Sequence, residues 1–523
     1  MSRVLLISSA SAGPLYISTL LKKDGHIVRR LYQGYKEFLG DPSAPFLPPL
    51  TEKELIEFQP DIVGFSVDTS SFEKAVAMSS EIKEVLPDAY IVFGGPHPTV
   101  CPDETIGKAP VDAICVGEGE YAMLELCNEL QARRAPIAVQ NIWVKHDGEI
   151  YRNPQRPYLQ ELDSIPMDRE DIWYTGIFTG RGCAGRCTFC NVPTIRKCGP
   201  GGKYFRKRSI ESVLDEVQVV YESILKKSSL TGIVGSLLRG KKTDIPARFK
   251  EETSPGEQNW FLESARRLNE QFPKLTFLFQ AASVAGSLLP RKKTGIPVRF
   301  KDDTFLGDRK WFLEFARRLH ERFPRLTYMC QATAREIDEE VAHWLKKSGC
   351  VQVLLGLETG SEKLRNDLLR KNVTDEQIAT ACRLLREQRI QILGSWMYGL
   401  LGETFSDMLR TLIMSVREGD SSNLSFFTPL PGTELFDKAV EKGIIDASYH
   451  HGGVYRTVAL HEGEARFQVL MVSLIHALKN VRIPPDYRYI RRLGSRGKLK
   501  SKTIGEVIAE ELESAMNDTP DNE

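Results

Sequence analysis

The sequence predicts an α/β protein built from two successive parallel-sheet units and a small, mostly helical carboxyl-terminal region. Three observations predict it. Short apolar runs alternate with amphipathic helical stretches in two separate series. The loops after the first-series strands are rich in Gly, Ser and Thr, and a loop holding three cysteines opens the second series.

The first series has strands at Val4–Ser8, His26–Tyr32, Asp61–Val67, Ala89–Gly95 and Ala113–Gly117, with helices at Leu15–Lys23, Glu52–Phe58, Phe72–Val85 and Glu120–Gln131. Strands separated by helices pair in parallel, so this is one doubly wound sheet. In such sheets the ligand lies beyond the carboxyl ends of the strands. That directs attention to the loops Ser8–Gly13, Ser66–Ser71, Gly94–Thr99 and Gly117–Glu120, whose small residues suit close backbone approach to a large flat ligand. Residues 133–172 read as connection, with a short polar strand or two and then Pro154, Pro157 and Pro166 among charges.

Cys183, Cys187 and Cys190 follow as C-x3-C-x2-C. Thiolates hold iron–sulfur clusters, and a [4Fe–4S] cube takes four of them. Three ligands with no fourth nearby leave one iron open. A structural zinc site wants paired hooks, and no second hook is present; three unrelated small core residues remain the bland alternative. Cys198 reads as incidental.

The second series has strands near Gly176–Gly180, Val298–Asp302, Thr327–Ala332, Val351–Glu358, Gln391–Tyr398 and Asn423–Thr428. Their carboxyl ends carry Asp302-Asp303-Thr304, Gln331, Gly356 to Ser361, Met397 to Thr404 and Thr428 to Thr433. Each strand-end carboxylate has a plain alternative role, capping the next helix. Residues 235–281 and 286–332 align without gaps at an offset of 51, with 29 identities in 47 positions. This is a duplicated strand–helix–strand unit. The second copy keeps Asp302-Asp303-Thr304-Phe305, so the place in the second sheet is assigned to it, and the first copy, about 231–283, is expected to lie outside the sheet or to pack poorly.

With 523 residues, 41% apolar and 27% charged, the chain has material for two or three domains. Ten cysteines in this length do not form a disulfide scaffold, and an oxygen-sensitive cluster needs a reducing compartment, so a cytoplasmic location is expected. The net charge of +1 argues against a general nucleic-acid binder. No apolar run reaches the roughly 18 residues of a membrane span. Val4–Ser8 reads as a strand rather than the apolar part of a signal peptide. Near the end, Phe467 to Leu478 reads as helical, Tyr487 to Lys502 is basic, and Glu510 to Glu523 is acidic and expected to be disordered.

The cysteine loop, with Phe189 just before its last cysteine, resembles the radical SAM superfamily. Pro60 to Ser66, Gly94-Gly95-Pro96-His97-Pro98-Thr99 and Val116-Gly117-Glu118-Gly119-Glu120 further resemble the cobalamin-binding domain that precedes the barrel in one branch of it. The resemblance implies a cobalamin-binding domain over 1–140, a linker over 141–172, an open (β/α)6 radical SAM barrel over 173–445 and a helical region over 446–523. It implies a [4Fe–4S] cluster on Cys183, Cys187 and Cys190. It implies S-adenosylmethionine contacts at Phe189, Asp302, Asp303, Gln331, Glu358 and Ser361. Cobalamin contacts are implied at Ser66, Gly94, Gly95, Pro96, His97, Gly117, Glu118 and Gly119.

Three positions depart from the family pattern. Leu401 replaces the proline of G-L-P-G-E-T, and Thr333 stands where arginine is common. Ser8 to Gly13 lacks the histidine of D-x-H-x-x-G, so no protein ligand to cobalt is expected there; His97 is the rival candidate. The implied function is methyl transfer to an unactivated carbon. A second reading is ring closure, as in the anaerobic cyclase of bacteriochlorophyll synthesis, and a third is a non-catalytic cobalamin or redox protein. The expected partners are a small-molecule or lipid-like substrate and an external electron donor such as flavodoxin or ferredoxin, with no nucleic acid. No catalytic acid or base is singled out.

Overall fold

The computed structural model describes residues 1–8, 13–32, 52–165, 176–222, 298–447 and 449, with isolated positions at 468, 469, 472, 473 and 476. The first copy of the repeat, the Ser9–Ala12 segment and nearly all of the region after residue 449 lie outside the described residues.

The first sheet contains β1 (Arg3–Ser8), β2 (Ile27–Tyr32), β3 (Ile62–Ser66), β4 (Tyr90–Gly94), β5 (Ala113–Cys115), β6 (Ile142–His146) and β7 (Glu149–Arg152) in the order β2-β1-β3-β4-β5-β6-β7. The first five strands pair in parallel, and β6 and β7 add an antiparallel edge. Alternate residues of one strand face opposite layers. Leu5, Ile7, Val63 and Phe65 pack in one core, while Val4, Leu6, Ile62 and Val92 pack in the other. A sheet covered on both faces needs near-continuous apolar strands, which is what β1 and β3 supply.

The hairpin of β6 and β7 supplies the short polar strands expected within 133–172 and joins them to the first sheet as its edge. Ile142 and Val144 are buried against the sheet, while the other residues of the hairpin are partly exposed. The sequence shows too little apolar character there to mark them as sheet members.

A two-stranded ribbon, β8 (Gly180–Arg181) with β9 (Arg206–Lys207), brackets the cysteine loop. The second sheet follows as β10 (Val298–Arg299), β11 (Tyr328–Ala332), β12 (Cys350–Glu358), β13 (Gln391–Tyr398) and β14 (Ser421–Phe426), all parallel and in sequence order. The expected first barrel strand appears as a single parallel bridge, Ile177 to Phe300. Ile177 N–H donates to the Arg299 carbonyl at 2.8 Å, and Lys301 N–H donates to the Ile177 carbonyl at 2.9 Å. The segment beside Ile177 therefore comes from the second copy of the repeat.

Helices return between these strands at Arg309–Arg322, Glu339–Lys347, Asp375–Glu387 and Phe405–Glu418, and Glu434–Glu441 follows the last. Local sequence starts them sharply. Thr374 and Gln377 cap each other's backbone N–H groups at 3.2 and 3.0 Å, and Thr404 and Asp407 form the same reciprocal box. The helices Arg309–Arg322, Glu339–Lys347 and Asp375–Glu387 bury their apolar faces over the sheet in one core that includes Phe300, Phe312, Tyr328, Leu355 and Trp396, while Glu434–Glu441 packs in a second with Leu369, Met397 and Phe427. Among the described residues no helix is long and apolar enough to cross a membrane.

Candidate functional site

Two cavities open at the carboxyl ends of the two sheets, and Asp303 lines both. The larger, about 500 Å³, lies between the first sheet and the cysteine loop. The smaller, about 330 Å³, lies in the mouth of the second sheet.

Ser66, Gly94, Gly95, Pro96, Gly117, Glu118 and Gly119 all line the larger cavity. Gly95 has φ +102°, and a Cβ there would stand 2.8 Å from the Val67 carbonyl oxygen, so only glycine lets this loop pass so close to its neighbour. The opposite wall brings Tyr158, Arg181, Gly182, Tyr204, Arg206 and Asp303. None of the tyrosines or arginines was singled out from sequence, since they carry no motif beyond adjacency to the cysteine loop.

His97 is a correction. It does not line the cavity and is fully buried on the other side of the helix Pro96–Val100, whose Pro96 and Thr99 face the cavity. Its ring packs on Phe72 at 4.0 Å between centroids, with Nδ1 3.3 Å from Thr69 Oγ1 and Nε2 3.8 Å from Glu104. The flanking prolines and the helical turn aim the imidazole into the core, so it is no candidate for cobalt.

The three cysteines stand beside the smaller cavity, whose lining includes Phe189. A Cβ on Gly185 would lie 3.2 Å from Cys183 Sγ and 3.8 Å from Cys187 Sγ, so the loop wraps directly around two sulfurs. Gly182, at φ +79°, brings the chain against Tyr204, where a Cβ would stand 2.5 Å from the backbone oxygen. The three sulfurs are not among the groups of ligand atoms that all lie within 4.8 Å of one another. A single zinc ion would require such closeness, with sulfurs about 3.8 Å apart at a tetrahedral centre; a cube with a sulfur on each of three irons spreads them wider. The donor set therefore fits a cluster better than a lone ion. Burial raises the thiol pKa of Cys187 and pushes that of Cys190 up to about 12, so metal must displace their protons on binding.

Gln331, Glu358 and Asp303 line the smaller cavity with Phe189. Glu358 has φ +65°, a strained backbone held at a cavity wall. Its Oε1 accepts from Lys371 Nζ at 2.6 Å. Lys371 also lines this cavity and was missed, because it sits in a loop without a motif. Fully buried Arg365 fixes that loop by donating to the Thr359 and Val373 carbonyls and pairing with Asp375 at 2.8 Å. Burial lowers the Lys371 pKa, but Glu358 and Cys187 outweigh it and hold the ammonium charged.

Asp302 and Ser361 are corrections. Asp302 turns away from the cavity and is almost fully buried, accepting from Thr179 N–H at 3.1 Å and Thr179 Oγ1 at 2.8 Å, with Lys207 3.5 Å away. It ties the segment after Ile177 to the next strand, while its neighbour Asp303 points the other way. Burial and then Asp302 raise the Asp303 pKa. Ser361 is buried at the end of the β12 loop and bonds Asp407.

Residues 10–127 match the B12 binding domain and residues 302–414 match the radical SAM superfamily. An uncharacterized methyltransferase of Pyrococcus horikoshii is 23% identical over 407 residues, covering 75% of this chain and 72% of that protein. The anaerobic magnesium-protoporphyrin IX monomethyl ester cyclase of Rubrivivax gelatinosus is 24% identical over 411 residues, covering 75% of this chain and 60% of the cyclase. Among solved structures, the radical S-adenosylmethionine methyltransferase TsrM of Kitasatospora setae shares the fold at a TM-score of 0.59 and 17% identity, covering 98% of this chain and all of that one. The chain therefore carries a B12 binding domain followed by a radical SAM domain.

Proposed function

We propose that the chain is a cobalamin-dependent radical SAM methyltransferase acting on an unactivated carbon. The observation that carries this reading is the junction at Asp303, where a cavity floored by the B12-binding loops meets a cavity walled by the cysteine loop. A substrate held there lies between the two sites. When bound, the cluster with S-adenosylmethionine supplies a radical for hydrogen abstraction and cobalamin supplies the methyl group.

The chain's own part is placement. Cys183, Cys187 and Cys190 hold three corners of the cluster. Phe189, Gln331, Glu358 and Lys371 surround the adjoining cavity, where Lys371 matches a carboxylate and Glu358 matches hydroxyls or an amine. Ser66, Gly94, Gly95, Pro96, Gly117 and Gly119 present backbone and small side chains to the corrin face. Asp303, with its raised pKa, offers a hydrogen-bonding group to the substrate from the shared wall. An external low-potential donor of the flavodoxin or ferredoxin type, in a reducing cytoplasm, completes the scheme.

The test is anaerobic reconstitution with cobalamin, reductant and S-adenosylmethionine, followed by mass spectrometry for 5′-deoxyadenosine. Its formation, lost in Cys187→Ala, is expected; none from a fully loaded protein refutes the enzymatic reading and leaves the non-catalytic one. The similarity to the cyclase keeps ring closure as a second reading, and a product heavier by one methylene decides for methyl transfer.

A further inference from the structure

Two short helices, Pro96–Val100 and Pro102–Gly107, follow β4 as an arch, each starting on a proline. Three potential ligands fall on it as H-x3-C-x2-E: His97, Cys101 and Glu104. The arch is regular, with Cys101 N–H donating to the His97 carbonyl at 2.8 Å and Thr105 N–H donating to the Cys101 carbonyl at 3.1 Å. It gathers one imidazole nitrogen, the sulfur and one carboxylate oxygen within 4.8 Å of one another, the one such group of three among the described residues.

We propose that His97, Cys101 and Glu104 form a second metal site, separate from the cluster loop, that takes a zinc ion through Nε2, Sγ and one carboxylate oxygen. Imidazole, thiolate and carboxylate are zinc donors, whereas magnesium and calcium want oxygen alone. His97 Nε2 stands 3.8 Å from Glu104 Oε2. Ligand atoms on tetrahedral zinc stand about 3.3–3.7 Å apart. The closure needed is small, and the Glu104 side chain, 31% exposed, has room to make it.

The imidazole is held as metal-bound histidines are. Its ring is clamped against Phe72, and Thr69 Oγ1 stands 3.3 Å from Nδ1, where it would accept the ring proton once Nε2 binds the ion. Zinc binding displaces the Cys101 thiol proton to solvent, and water takes the fourth position on the partly exposed side. The other face of the arch presents Pro96 and Thr99 to the larger cavity, and the helix Val192–Cys198, which follows the cysteine loop, packs on it. The ion thus stiffens a wall of the larger cavity.

The experiment uses the cluster-loaded full chain, dialysed against zinc and then against a mild chelator, with zinc content and zinc K-edge absorption measured. One zinc per chain is expected, with one sulfur at about 2.3 Å and nitrogen or oxygen at about 2.0 Å. Cys101→Ser is expected to weaken zinc binding at least about tenfold while iron content stays the same. Where that variant fails to load iron, Glu104→Gln carries the same expectation. No retained zinc, zinc unchanged in both variants, or a shell of three sulfurs, which places the ion in the cysteine loop, overturns the proposal. The first of these results leaves His97 and Glu104 as neighbours without a metal.

Discussion

Arg181 Nη1 donates to Glu118 Oε1 at 3.0 Å, while its Nη2 lies 2.6 Å from Glu120 Oε1. Arg181 stands two residues ahead of Cys183, and the two carboxylates belong to the loop that floors the larger cavity. Arg206 closes the network, donating to both Glu118 oxygens at 2.8 and 3.1 Å. Burial by itself raises the Glu118 pKa, but Arg206 and Arg181 outweigh it and hold the carboxyl below its usual range. The cysteine loop and the B12-binding loop are therefore one electrostatic unit.

Arg181→Met leaves Glu120 and part of Glu118 without a counter-charge in a largely buried setting. Breaking such a pair from one side costs roughly 3 kcal/mol. A lower melting temperature and about tenfold weaker hydroxocobalamin binding in equilibrium dialysis are expected, with Arg181→Lys recovering part of both. Unchanged cobalamin affinity in a destabilised variant would confine the network to stability.

Lys371 places a positive charge beside Cys187 and Cys190, neutralised in part by Glu358. Its removal in Lys371→Gln makes the electron added on cluster reduction less favourable. The midpoint potential of the reconstituted cluster is expected to fall by on the order of 100 mV, given one charge at short range in a medium of effective dielectric near 20. A redox titration followed by electron paramagnetic resonance reads this directly; a rise in potential contradicts the placement.

Much of this site was legible because its chemistry depends on spacing along the chain. The cysteine loop, the Gly-rich strand ends and the helices Phe72–Val85 and Glu120–Gln131 follow from local pattern alone. What stayed hidden depends on direction. His97 and Pro96 are adjacent, yet only Pro96 meets the cavity; Asp302 and Asp303 are adjacent, yet only Asp303 does. Sequence marks both members of each pair and cannot say which way the backbone turns them. Arg181, Arg206, Tyr204 and Lys371 belong to no periodic pattern, and their roles appear only when distant segments meet.

Glu403 carries a pH dependence of stability. Its largely buried carboxyl accepts from Gly399 N–H at 2.7 Å and Leu400 N–H at 3.0 Å, but burial dominates and pushes its pKa from 4.5 up to about 8. The folded chain then holds a proton that the unfolded chain releases, so this group's contribution to stability falls as pH rises from about 4.5 to about 8. Glu403→Gln keeps the acceptor and removes the titration. Its melting temperature is expected to exceed that of the parent most clearly above the upper value, with the two converging in mild acid; equal pH profiles would count against the shift.

Ile177 pairs with the segment Arg299 to Lys301, taken from the second copy, and the parallel order then runs in sequence from β10 to β14. Asp302, which ties Thr179 to this strand, and Asp303, which lines both cavities, are also second-copy residues, where the first copy has Glu251 and Glu252. Strand number and stagger are fixed together in a closing sheet, so one place next to Ile177 admits one copy. Deletion of residues 235–285 removes a single 51-residue period and rejoins the chain in register. The shortened protein is expected to load iron and bind cobalamin as the full chain does. Aggregation or loss of iron in the shortened protein would show instead that the first copy is part of the folded unit.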